Sequence, residues 1–381
     1  MAKTILVLGG YGNFGKRISE SLAKHADVCL LVAGRNLEKA NDLCKKLRAE
    51  NYAADLKPVA LDIFSENFAQ ELKNLSPFLV IHTSGPFQGQ DYRVPQACID
   101  AGAHYIDLAD DRRFVCDITK LDVQARSKNL LVVSGASSVP GLSSVVIDEI
   151  TPQFSRMDEI DIAIAPGNRA ERGEATVKAI LSYTGHPIKI FENGQWINKY
   201  GWMSARRLDF GKVVGKRWLA NVDVPDLELF PARYPSVKRV NFQAGLELSF
   251  LHWGMVGMAW LAKYKLVRNW SPVVKPIVAA SNWFIGLGTD IGGMRVKIVG
   301  IDHQQKPLEL VWQLTATHGV GPYIPTLSAI ILAEQLISGE NKDSGAKPCL
   351  GLYKLEDFKT HAERWGIYYQ LFNKGEEQPL G

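Results

Sequence analysis

The first 145 residues alternate short apolar runs with amphipathic stretches. Runs near 4–8, 28–33, 57–61, 78–83, 104–108 and 130–134 are almost continuously apolar, the pattern of strands covered on both faces. Between them Lys16–Lys24, Leu37–Arg48 and Val94–Ala101 repeat their apolar positions at helical spacing. Strands alternating with helices predict a mostly parallel sheet with its ligand crevice at the strands' carboxyl ends. After Pro140 the rhythm changes. Ile160–Ala165 reads as a strand, Thr176–Tyr183 as a short helix, and Ile188–Phe191 with Trp196–Lys199 as a hairpin around Asn193-Gly194. Met294–Gly300 and Leu308–Thr317 read as two long strands, Pro325–Ser338 as a helix, and Leu355–Phe372 as a final amphipathic helix.

The predicted turn after the first strand carries the chain's most specific motif. Gly10-Tyr11-Gly12-Asn13-Phe14-Gly15 follows Ile5-Leu6-Val7-Leu8 and precedes a helix, the setting of a dinucleotide-binding GxGxxG fingerprint. The first glycine serves the tight turn, the second lets backbone approach a pyrophosphate, and the third lets the helix pack on its strand. The fold class expected is α/β, a Rossmann-type doubly wound parallel sheet. An inserted α+β domain over 146–319 interrupts a nucleotide-binding domain formed by 1–145 plus 320–381. Gly10 to Lys16 also reads GxxxxGK, but Arg17 stands where a P-loop needs Ser or Thr for Mg²⁺, so an NTPase is excluded.

Arg35 lies twenty residues after Gly15, where NAD sites place an acidic residue for the ribose 2′-hydroxyl. A cation there suits a 2′-phosphate instead, so the expected cofactor is NADP. The expected cofactor contacts are Gly10 to Gly15, Arg35 and Asn36 at the end of the second strand, Asp62 after the third, and Thr83-Ser84-Gly85-Pro86 after the fourth. Asp62 reads equally as a turn cap, and Gly85-Pro86 is also a plain turn signal.

Composition narrows the class. A length of 381 residues, 46% hydrophobic and 22% charged, suits a two-domain globular protein. A net charge of +4 without a long basic run gives no sign of nucleic-acid binding. The five scattered cysteines and the early first strand, which leaves no room for a signal peptide, predict a cytoplasmic protein with reduced thiols. The eight histidines show no metal-ligand spacing, so no metal is expected.

Asp107, Ser84 and Ser137 fall at predicted strand ends and are the candidate catalytic residues. The nearby Asp110 and Asp111 read either as part of an acidic cluster for an amine or as a helix N-cap. Arg169, Arg172, His186, Arg206 and Arg207 are candidate carboxylate ligands in the second domain, which is expected to deliver a small-molecule substrate. A YxxxK pair occurs only as Tyr234 and Lys238 with Pro235 between them, and no cysteine lies between Cys116 and Cys349. The first argues against a catalytic Tyr–Lys pair, which needs an unbroken helix, and the second against an acyl-thioester dehydrogenase with a nucleophilic cysteine. Leu251–Ala262, rich in Trp and Met and followed by Lys263, Lys265 and Arg268, reads as a buried helix pair or subunit interface. The alternative is a membrane-surface element or an apolar substrate wall. A homodimer through the second domain is expected.

The chain resembles the saccharopine dehydrogenase-like NADP-binding oxidoreductases. The similarity lies in LVLGGYGNFG, in Ala33-Gly34-Arg35, in Ser84-Gly85-Pro86-Phe87, in Ala97 to Asp107, and in Gly345 to Leu352. It covers the nucleotide domain well and the second domain in outline. It implies an NADP-dependent oxidoreductase acting on a C–N or C–O bond. Branches of that family make saccharopine or carboxyspermidine-type products by reductive amination. A non-catalytic NADP sensor or scaffold and a peripheral lipid-surface protein are the alternatives.

Overall fold

The computed structural model describes residues 2–373 and 376–378. Its contacts divide the chain into two compact units, residues 1–141 with 325–353, and residues 142–324 with 354–381.

The first unit holds strands β1 (Lys3–Leu8), β2 (Val28–Gly34), β3 (Asp55–Ala60), β4 (Leu79–His82), β5 (His104–Asp107) and β6 (Leu131–Ser134). A late strand, Gly345–Pro348, pairs in parallel with β6 and completes a seven-stranded sheet. The order is late strand, β6, β5, β4, β1, β2, β3, with every pairing parallel. β1 lies in the sheet's interior between β4 and β2, and Ile5, Leu6 and Val7 are 0% exposed, which explains its unbroken apolar run. The order reverses direction at β1, between β4 and β2, and this is where a doubly wound sheet opens its ligand crevice. Helices α1 (Gly15–Leu22) and α2 (Leu37–Ala49) follow the first two strands. The late strand was not among the expected strands, being only four residues long with glycine and proline at its ends.

The second unit is a mixed ten-stranded sheet. Its strands include β7 (Arg156–Ala165), β8 (Pro187–Glu192), β9 (Gln195–Tyr200), β10 (Arg206–Asp209), β11 (Lys216–Asn221), β12 (Arg239–Ala244), β13 (Gly292–Ile301) and β14 (Pro307–Ala316). Asn193 and Gly194 have φ of 52° and 74°, the two positive values that the expected tight hairpin turn requires. β7 lies centrally, parallel to β12 and antiparallel to β13. One face is apolar, with Ile160, Ile162, Val296, Ile298 and Trp312 at 0% exposure. The opposite face carries Asp161, Asn241, Gln243 and Arg295, so these strands alternate.

The tail differs from expectation. Leu355–Glu363 is helical, but Gly366 takes φ +67° and Tyr368–Asn373 continues as a strand antiparallel to β14. Leu371 is 1% exposed within this strand. Residues 354–373, expected with the nucleotide-binding domain, therefore group with the second unit, where Tyr368–Asn373 joins its sheet. The apolar positions of 355–372 fit one helix on paper, and only the glycine turn and an available strand edge separate the two outcomes.

Trp312 anchors this region, fully buried and 5.2 Å from the Tyr369 ring. Trp312→Ala is expected to cost about 3–5 kcal/mol, read as a lowered denaturant midpoint of the second unit. A change below about 1 kcal/mol contradicts this packing.

Candidate active site

The glycine-rich loop is built by close backbone packing. Gly9, one residue before the fingerprint, holds the left-handed conformation at φ +76°, whereas the sequence analysis assigned the turn to Gly10. The amide of Gly12 donates to the Gly9 carbonyl at 2.8 Å, and that of Gly10 to the Ala33 carbonyl of β2 at 2.9 Å. A Cβ on Gly15 would run into the Gly9 carbonyl oxygen and the Gly10 Cα, so α1 can approach β1 only with glycine there. A Cβ on Gly12 would meet just one atom, the Gly9 carbonyl oxygen at 3.0 Å. This more open side is where a phosphate can approach backbone.

Arg17, read in the sequence only as the residue that breaks a P-loop, and Ser19 hold the loop. Arg17, 7% exposed, folds back to donate to the carbonyl of Asn13 and to its Oδ1 at 2.6 Å. Ser19 Oγ donates to the Gly10 carbonyl at 3.2 Å. Their signal in the sequence is the helical i, i+4 spacing from Asn13 to Arg17.

At the end of β2, Tyr11 folds over Gly34, where a Cβ would lie 2.6 Å from the phenol ring. The Asn36 amide donates to the Tyr11 hydroxyl at 2.9 Å, and Asn36 Oδ1 accepts from the Lys39 amide at 3.0 Å, capping α2. Arg35 between them is exposed, with no ion pair among the described residues. Asp62 Oδ1 accepts from the Phe64 amide at 3.1 Å, so it caps a turn. The glycine cradle, the helix N-terminus and an exposed cation at the end of β2 fit a dinucleotide carrying a 2′-phosphate.

The neighbouring strand ends form a polar rim. Thr83 Oγ1 donates to the Leu8 carbonyl at 2.8 Å, linking β4 to β1. Ser84 is half-buried against Gly9, and its carbonyl accepts from Gln90 Nε2 at 3.0 Å. Gly85 and Pro86 follow it, and the Pro86 carbonyl accepts from the same Gln90 nitrogen at 2.8 Å. Asp107 is 0% exposed. Its Oδ1 accepts from Ser134 Oγ at 2.9 Å, the Gly135 amide at 2.8 Å and the Ala109 amide at 2.9 Å. Its carbonyl accepts from the Ala136 amide at 2.8 Å. Burial raises the Asp107 carboxyl from 3.8 to about 6. Beside it His82 is fully buried, 3.0 Å from the Tyr105 hydroxyl, and burial lowers its imidazole to about 3. Ser137 is half-buried on the loop that Asp107 holds. Its carbonyl accepts from Ser328 Oγ at 3.0 Å, and Ser328 pairs with the Tyr353 hydroxyl at 2.7 Å. Asp111 caps the next helix, accepting from the Phe114 amide at 2.8 Å, while Asp110 accepts from Gln88 Nε2 at 3.1 Å.

In the second unit, three candidate arginines have internal partners. Arg206 binds both oxygens of Asp161 at 2.7 and 2.8 Å. Arg172 donates to Asn168 Oδ1 at 2.6 Å, and Arg169 to the Gly286 carbonyl at 3.1 Å. Arg207 is exposed and His186 half-buried.

Asp107 has a folded pKa above its unfolded value, so its stabilising contribution is complete below about pH 4 and lost as pH rises through about 6. Asp107→Asn preserves an Oδ1 acceptor but cannot ionise. The variant should lack this loss, which is at most about 3 kcal/mol in the wild type. Denaturation at a series of pH values measures it, and parallel curves for the two proteins refute the buried ionisation.

Residues 5–133 match the family model described as "Saccharopine dehydrogenase NADP binding domain". A curated relative, the uncharacterized oxidoreductase YvaG of Bacillus subtilis, is 31% identical over 112 residues, 29% of this chain and 38% of that protein. The chain thus spans well under half of that relative's length. Among solved structures, apo saccharopine dehydrogenase (L-Glu forming) from Saccharomyces cerevisiae superposes with a TM-score of 0.70. That match covers 98% of this chain and 100% of the yeast chain at 13% identity, a likeness of fold. Residues 5–133 are thus similar to the NADP-binding domain of saccharopine dehydrogenases, a match that supports NADP as the cofactor.

Proposed function

We propose that the chain is an NADP-dependent oxidoreductase acting on a C–N or C–O bond of a small molecule. The observation that carries this reading is the convergence, within one unit, of the glycine cradle and the Ser84–Asp107–Ser137 rim on adjoining strand ends. The bound cofactor supplies hydride-transfer chemistry. Gly12 and the α1 N-terminus receive its phosphates, Arg35 pairs with the 2′-phosphate, and Tyr11, Asn36 and Asp62 border the adenosine. Thr83, Ser84, Gly85 and Pro86 border the nicotinamide side.

Ser84 and Ser137 offer hydroxyls to the polar atom of the substrate's reacting bond. Asp107 has no exposed surface, so in this reading it acts as a positioning residue. Its Oδ1 fixes Gly135 and Ser134, and hence the loop that presents Ser137. A homodimer through the second unit's sheet and a cytoplasmic setting belong to the same reading, and five free cysteines suit the latter.

NADPH is expected to bind at least about tenfold tighter than NADH, a difference of about 1.4 kcal/mol. Arg35→Asp should erase or reverse that preference in calorimetric titrations, and equal affinities in the wild type remove Arg35 from the 2′-phosphate site. With a substrate drawn from a panel of imines and carbonyls, Ser137→Ala should lower kcat at least about tenfold while leaving NADPH affinity unchanged. Undiminished turnover assigns Ser137 to structure, and absence of turnover across the panel and its reduced counterparts defeats the oxidoreductase reading.

A further inference from the structure

A surface of the second unit combines exposed aromatics with unopposed positive charge. Residues 248–289 contain four cations, Lys263, Lys265, Arg268 and Lys275, and no aspartate or glutamate. The segment forms a helix, Ser249–Lys263, followed by a shorter arm with a helix at Val274–Asn282 and a turn at Ile285–Leu287. The long helix buries His252, Val256, Ala259 and Ala262, yet exposes Trp253 by 46% and Trp260 by 44%. It is apolar on both its buried and its open sides. The second arm exposes Trp283 by 83% and Leu287 by 67%. Rings of Phe250 and Phe284, 5.0 Å apart, join the arms, and Trp270 Nε1 donates to the Met258 carbonyl at 3.0 Å. Ten of the sixteen large apolar side chains exposed among the described residues fall between Phe250 and Leu287, so this is a patch and not scatter.

We propose that this two-armed patch is a peripheral membrane-binding element for an anionic phospholipid surface. Trp253, Trp260, Trp283 and Leu287 enter the headgroup–acyl boundary, and the four cations meet lipid phosphates. Lys263 already sits at that edge, its ammonium 4.6 Å from the Tyr200 ring centroid and 5.2 Å from that of Trp260. Lys265, Arg268 and Lys275 are exposed and make no ion pair among the described residues. Charge selects the occupant. A second copy seated face to face here would set four cations against four with no carboxylate in the segment, whereas an anionic bilayer supplies the missing counter-charge. No described helix is long and apolar enough to cross a membrane, so the contact is interfacial.

Sedimentation of the full chain with vesicles tests the proposal. Vesicles of phosphatidylcholine with phosphatidylglycerol should bind the protein at least about tenfold more strongly than phosphatidylcholine alone, and added salt should weaken the binding. Trp260→Ser with Trp283→Ser should reduce binding at least about tenfold. Lys265→Glu with Arg268→Glu, exposed changes that leave the apolar face intact, should do the same through charge alone. Unchanged near-ultraviolet dichroism and NADPH affinity establish that the variants are folded. Absence of vesicle binding by the wild type, or equal binding by the folded charge variant, overturns the proposal. So does a wild-type dimer that ignores vesicles and dissociates when the tryptophans are replaced, which assigns the patch to a second copy.

Discussion

The nucleotide-binding unit depends on the absence of a side chain at one position. α1 starts with its first residue, Gly15, lying against the backbone of Gly9 and Gly10, a separation that leaves no volume for a Cβ. The geometry of the glycine cradle follows from it. The helix N-terminus reaches the carboxyl end of β1, Gly12 keeps an open side, and the loop between them is short enough for Arg17 and Ser19 to brace. Gly9 supplies the left-handed residue that lets the chain turn at all. A larger residue at Gly15 would push α1 away from β1, and one at Gly9 would be strained at φ +76° and meet the Thr83 and Ser84 side chains.

A second constraint lies beneath the strand ends, where polar groups are buried without compensating cations. Asp107 bridges β5 to the loop after β6 through one oxygen with three donors, and burial makes its carboxyl harder to ionise. His82 and Tyr105 beside it stay neutral for the same reason. These groups hold the rim in shape, and Ser84 and Ser137 on it are half-buried. Ser328 and Tyr353, from the chain's late return to this unit, complete the support of Ser137.

The second unit follows a different logic. Its sheet buries an apolar face and leaves a polar one on which Asp161, Arg206, Asn241 and Gln243 satisfy one another. Arginines that could have clamped a ligand are thus largely occupied by structure. The apolar surface that the unit leaves uncovered lies instead on the helix Ser249–Lys263 and the arm after it.

The sequence by itself determined the elements whose signal is local. The apolar runs of β1, β2, β4, β5 and β6 became strands because these parallel strands are largely buried, while β3 forms a more exposed edge, and Asn193-Gly194 became a tight turn because both positions need positive φ. The glycine spacing of the fingerprint is written in the chain and became the tight turn between β1 and α1. Only the tertiary structure decided what depends on distant partners. It placed Gly345–Pro348 beside β6 and Tyr368–Asn373 beside β14, choices that a short or ambiguous stretch leaves to whichever strand edge is open. It buried Asp107 and recruited Ser328, 191 residues along the chain from Ser137, with Tyr353 behind it. It also left the tryptophans of the Ser249–Lys263 helix facing outward. Periodicity reports that a face is apolar, but whether another element covers it is a property of packing.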